Sequence, residues 1–99
     1  MKDNRVELAG VLAEVEPLRT SPAGVAIAQA LLRHESWQTP GGRRQKAEAE
    51  VVLKASHDMA RRLAACQAGQ AVRVAGFVAR AGARNPQLVL WIIELEEKE

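Results

Sequence analysis

Two short stretches punctuated by Gly and Pro concentrate the arginines of this chain, Pro40-Gly41-Gly42-Arg43-Arg44-Gln45-Lys46 and Arg80-Ala81-Gly82-Ala83-Arg84-Asn85-Pro86. Guanidinium groups on loops can neutralise phosphates, and each phosphate neutralised releases counterions, so the chemistry offered is recognition of an anionic polymer. Residues 19 to 84 hold eleven of the fourteen basic side chains and four of the twelve acids. That leaves the middle near +7 and the two ends together near −5, behind a formal net charge of only +2.

Other chemistries find little support. Hydrolysis or group transfer needs a nucleophile beside a base, or paired carboxylates in a pocket, whereas the acids here gather in the last strand and the tail. Neither a GxxxxGK[ST] loop nor an H-E-x-x-H motif occurs, so no enzyme and no cofactor is expected. His34 and His57 are too far apart to suggest a metal site. The lone Cys66 lacks His or Cys neighbours and cannot form an internal disulfide; it reads as a small buried hydrophobe. Ninety-nine residues, 47% hydrophobic, make one compact domain spanning 1–99. The apolar run Leu88 to Ile93 is far short of the roughly 20 residues of a membrane span, and no charged segment leads into an apolar signal, so a cytoplasmic protein is expected.

The elements that would position the arginines follow from the pattern. Arg5 to Val15 alternates as a strand, with Gly10 at a bulge or bend where the alternation changes phase. Pro17 to Gly24 reads as a turn. From Val25 to Trp37 the residues Val25, Ile27, Leu31 and Trp37 share one parity with Gln29, Arg33 and Glu35, which favours a strand, although Ala26 to Leu32 would also suit a helix. Lys46 to Leu53 alternates as a third strand after the Gly-Gly turn. A helix follows, capped by Ser56, with Asp58 in its first turn, Met59, Leu63 and Cys66 on one face, and Gly69 to end it. Ala71 to Ala79 and Leu88 to Leu95 are the last two strands. The final strand is apolar on both faces, and a partner subunit could cover one of them.

The order β-β-β-α-β-β, with a long first strand bent at a glycine, is that of a five-stranded Greek-key OB-fold barrel, all-β with one short helix. Such barrels bind oligonucleotides across strands two and three, gripped by the one-two and four-five loops. Arg19 falls on the first of these loops and Arg80 and Arg84 on the second, while Arg43, Arg44 and Lys46 fall on the two-three hairpin. Arg61 and Arg62 sit on the helix, away from this face, and serve solubility. Phe77, beside Gly76, reads as core. Trp37 has three readings that sequence leaves open: a base-stacking platform, a core cap or a dimer contact.

Four pieces in the same order along nearly the whole chain resemble the primosomal replication protein N family, PriB: Asn4 to Gly10, Ser21-Pro22-Ala23-Gly24, His34-Glu35-Ser36-Trp37-Gln38 and Val74 to Ala79. The resemblance implies a homodimeric OB-fold protein, similar in fold to single-stranded DNA-binding protein, that serves DNA replication restart in the primosome. It also implies binding to single-stranded DNA and to the PriA helicase, with hand-over to DnaT in some lineages. Carried over by position, Arg19, Arg80 and Arg84 become DNA contacts and Arg33 and His34 second-strand contacts, with Trp37 a candidate contact through its stacking reading. Some family members carry an exposed aromatic on strand three, where this chain has Ala47. Since stacking is worth roughly 1–3 kcal/mol per base, weaker and more electrostatic binding is expected. The rival readings are a protein-interaction adaptor with weak or no nucleic-acid binding and an RNA-binding cold-shock-like module, the latter short of aromatics.

Overall fold

The computed structural model describes residues 3–98. They form β1 (Val6–Val15), a two-residue β2 (Arg19–Thr20), β3 (Ala26–Gln38), a 3-10 turn (Pro40–Gly42), β4 (Gln45–Ser56), α1 (His57–Ala64), β5 (Ala71–Gly82) and β6 (Asn85–Glu97). Neighbouring strands follow the order β1-β5-β6-β4-β3-β2, and β1 also pairs with β3, so the five long strands close into a barrel with β2 appended to it. Every pairing is antiparallel except that of β4 with β6, which sets Leu53 beside Leu90 and Lys54 beside Trp91. This is the OB-type barrel that the sequence pattern predicts.

Closure depends on β1, which pairs with β5 from Val6 to Val11 and with β3 from Val11 to Val15. Changing partner within one strand brings backbones close together at the bend. A Cβ on Gly10 would stand 2.3 Å from the Arg33 carbonyl oxygen, and one on Gly76 only 1.8 Å from that of Trp91. Glycine is therefore required by contact at the β1 bend and at the β5–β6 register shift, although the register slip in β1 itself comes slightly later, between Leu12 and Glu14.

Alternate residues fill the barrel: Leu12 from β1, Ala26, Ala28, Ala30 and Leu32 from β3, Leu53 from β4, Val72 and Val74 from β5, Leu90 and Ile92 from β6. Each fully buried Leu or Val contributes roughly 1.5–3 kcal/mol. The inward face of β3 is mostly alanine because α1 packs there, with Ala60 and Leu63 fully buried. Small side chains admit the helix, and the larger Ile27, Leu31 and Trp37 are turned outward.

Several local expectations are corrected. Residues 26–38 are extended throughout, which removes the helical alternative, and Arg19 and Thr20 pair with Ile27 and Ala26 within the stretch expected to be irregular. Ser56 makes no side-chain cap bond; its hydroxyl lies 3.1 Å from Nδ1 of His57, whose backbone is left-handed at φ 58°. Helix α1 stops at Ala64, well before Gly69, whose left-handed backbone turns the chain and whose N–H donates to the Leu12 carbonyl at 2.7 Å. Arg62 does more than confer solubility, because its guanidinium donates to the Leu95 carbonyl and ties α1 to β6. Phe77 is 39% exposed, opposite Trp91 on the outer wall, and so is not core.

Two outcomes are expected. Gly76→Ala forces β5 and β6 apart and should destabilise the fold by about 3 kcal/mol in chemical denaturation, the upper range for overpacking. Cys66 is buried as expected, and burial, followed by the Glu97 carboxylate 3.8 Å away, pushes its thiol above the ordinary range. With the folded pKa above the unfolded one, this group leaves stability intact below the usual thiol pKa and lowers it as pH rises through the raised value. Native protein at pH 8 should accordingly react with a thiol reagent more than about tenfold slower than unfolded protein.

Candidate nucleic-acid interface

Strand alternation sets the outward face of β3 as Ile27, Gln29, Leu31, Arg33, Glu35 and Trp37. Register adds the facing β4 residues, Lys54 opposite Gln29, Val52 opposite Leu31, Glu50 opposite Arg33, Glu48 opposite Glu35 and Lys46 opposite Trp37. Arg19, paired with Ile27, joins the same face at its other end. From Ile27 to Trp37 this surface runs roughly 33 Å. Beyond the crossing at Gly10, the outer parts of β3 and β4 project as a two-stranded arm, tipped by Arg43 and Arg44.

Charge along the arm is mixed. Arg33 pairs with Glu50 at 3.7 Å, and Lys46 reaches Glu35 at 3.2 Å and Glu48 at 3.5 Å. These carboxylates, Glu35 above all, hold the Lys46 ammonium above its usual range. Such exposed pairs add little stability, yet they offset positive potential where an anion would lie. Arg19, Arg43, Arg44, Arg80 and Arg84 have no ion-pair partner among the described residues. Trp37 is 57% exposed, which excludes a core role, and the Arg44 guanidinium carbon lies 4.3 Å from its ring centroid. His34 is on the opposite face. Its Nδ1–H donates to the Ala9 carbonyl at 2.7 Å and its Nε2 meets the Ser36 hydroxyl at 2.9 Å, so it braces the arm against β1.

The second arginine stretch is mostly strand. Gly82 pairs with Asn85, which leaves only Ala83 and Arg84 as the turn. A register shift between Arg80 and Gly82 lets Pro86, with no N–H to give, enter the hairpin near its end. Ala81, Asn85, Gln87 and Val89 line a groove against Gln29, Val52 and Lys54, with the Lys54 ammonium 3.5 Å from the Ala81 carbonyl. Arg80 alternates to the other face of the hairpin with its partner Leu88, while Arg84 lies in the turn at the hairpin's end. Lys54 and Gln29 were not singled out from the sequence. Continuing the period-two pattern one residue past Leu53 would have put Lys54 on the face of Lys46.

A barrel of this topology, with cations around one outward strand face, defines an oligonucleotide-binding fold. The model of a family described as another single-strand binding protein family matches residues 4–94. A replication restart protein PriB from Neisseria meningitidis is 32% identical over 95 residues, covering 96% of this chain and 94% of its own. Its counterpart from Nitrosomonas europaea is 30% identical over 89 residues, 90% and 82% of the two chains. The solved PriB of Ralstonia solanacearum superposes with a TM-score of 0.86 at 30% identity, covering 98% of this chain and all of that one. A single-stranded DNA binding protein from Thermus aquaticus shares the fold, with a TM-score of 0.78 at 19% identity over 97% of this chain and 50% of that chain. The chain belongs to the PriB family of replication restart proteins.

Removing the carboxylates that oppose Arg33 and Lys46 should strengthen any polyanion contact. Glu35→Gln with Glu50→Gln is expected to raise affinity for an oligo-dT probe severalfold and to steepen the salt dependence, measured by anisotropy between 50 and 300 mM salt.

Proposed function

We propose that this protein binds single-stranded DNA without sequence preference, as a non-enzymatic accessory of bacterial replication restart. The backbone is gripped by Arg19 and Arg33 on the β3 face, by Arg43, Arg44 and Lys46 at the arm, and by Arg84 at the turn of the β5–β6 hairpin, while Arg80 lies on the other face of that hairpin. Trp37 supplies the stacking surface for a base, and His34 supports the arm that carries it. The observation that carries this reading is that Arg19 at one end and Arg43 and Arg44 at the tip, with no ion-pair partner among the described residues, border one outward face that also bears a 57% exposed tryptophan. Family membership supports it, since the relatives are replication restart proteins.

In that role the protein works in the cytoplasm as a homodimer, contacts the PriA helicase and hands over to DnaT where that partner exists. Support for the dimer comes from exposed apolar residues of β5 and β6, Phe77 at 39% and Ile93 at 55% on the outer wall and Leu88 at 64% on the other face of the hairpin, more apolar surface than a solitary barrel needs. A second reading is favoured by the ion pairs of Arg33 and Lys46. If these persist in the presence of DNA, the arm is a protein-docking element and the chain is an adaptor with weak or no nucleic-acid binding.

Titration of labelled oligo-dT separates the two. If five of these cations each neutralise one phosphate of a single strand, the slope is near −3.5 in log affinity against log salt, so affinity should fall more than about a hundredfold from 50 to 300 mM. Absence of binding at 50 mM, with retained binding to the helicase, contradicts the DNA reading and favours the adaptor.

A further inference from the structure

The cation over the Trp37 ring occupies the surface that a base would need. Arg44 follows a turn in which Gly41 and Gly42 both have positive φ, and nothing lies within 4 Å of where their Cβ atoms would be. The segment bearing Arg44 is therefore unpacked around its glycines, and the side chain can leave the ring without disturbing the barrel. A guanidinium is planar and weakly hydrated, so it covers an indole face much as a base does. Its hold is weaker than the overlap of a stacked base, because a cation–π contact at an exposed site competes with water.

Register also decides the side from which a nucleotide arrives. Two residues back along the arm, on the face of Trp37, lie Glu35 and the opposing Glu48, carboxylates that repel a phosphate. Ahead of Trp37 lie Arg43 and Arg44, with no ion-pair partner among the described residues. A base with its phosphate is admitted from the tip, the side Arg44 comes from.

We propose that Arg44 is an exchangeable cover on Trp37: single-stranded DNA lifts the guanidinium off the ring, a base takes its place, and the freed guanidinium pairs with the phosphate next to that base. The inference rests on the single-stranded DNA reading and adds to it an intramolecular competitor. Arg44 then opposes stacking and assists backbone binding, and salt sets the balance, since only the phosphate contact is screened.

The test is Arg44→Ala, an exposed tip substitution that leaves the core untouched, read by tryptophan fluorescence and oligo-dT titration across salt. Trp37→Phe assigns the Trp37 signal as distinct from that of Trp91. In the free protein, Arg44→Ala should make Trp37 more accessible to acrylamide. Its salt slope should be shallower by about 0.7, one phosphate on a single strand, so that it binds more weakly than wild type at 50 mM and more tightly at 300 mM. Affinity curves that cross support the exchange. Curves that never cross, with Trp37 accessibility unchanged, overturn it and leave Arg44 a phosphate contact alone. If wild type itself fails to bind oligo-dT at 50 mM, the underlying reading falls and the inference with it, a result independent of residue 44.

Discussion

Backbone contact at two glycines governs the architecture. Where β1 leaves β5 for β3, Gly10 lies against the carbonyl of Arg33, and at the register shift of β5 against β6, Gly76 lies against that of Trp91. Neither position has room for a Cβ, so the barrel can close only there. Everything functional is measured from the first crossing: inside it β3 is a barrel stave with alanines beneath the helix, and beyond it β3 and β4 leave the barrel as an arm. Arg33 sits at the junction, and the bond from His34 to the Ala9 carbonyl fixes the angle at which the arm departs.

The arm shows why a count of cations is a poor guide to an anion site. Arg33 faces Glu50 in register, while Lys46 reaches diagonally to Glu35 and along its own strand to Glu48, contacts that steady a two-stranded ribbon. Arg19, Arg43 and Arg44, with no ion-pair partner among the described residues, lie at one end and at the tip of the face. The opposite wall of the barrel is similarly balanced, with Arg5 and Arg73 bound to Glu7 and Glu94; these cations, Arg73 above all, hold the Glu7 carboxyl below its ordinary range. Net positive potential is thereby confined to a few loops rather than spread over the surface.

Much of this was legible in the sequence. Period two identified the strands, the glycine at a phase change identified the bend, and Met59 and Leu63 identified the helix face, although Cys66 lies past the helix end. The rest depended on partners that pattern does not name. Ile27, Leu31 and Trp37 share a parity that could have been inward; only the helix packed on β3, which demands alanines, turns them out. Phe77 beside Gly76 looks like core until register sets it opposite Trp91 on the outer wall. Arg80 and Arg84 looked like one loop, yet alternation in a hairpin with a two-residue turn separates them. His34 is read from neighbours that match the family motif, and its bond to Ala9 is visible only once β1 crosses β3.

The central claim is that single-stranded DNA lies on the outward face of β3 and reaches the arm tip. Backbone amide chemical shifts recorded with and without oligo-dT at low salt test it most directly. The account predicts changes at Ile27, Gln29, Leu31, Arg33 and Trp37 and at Arg43, Arg44 and Arg84. Changes confined to the opposite wall, around Glu7, Arg73 and Glu94, would contradict it.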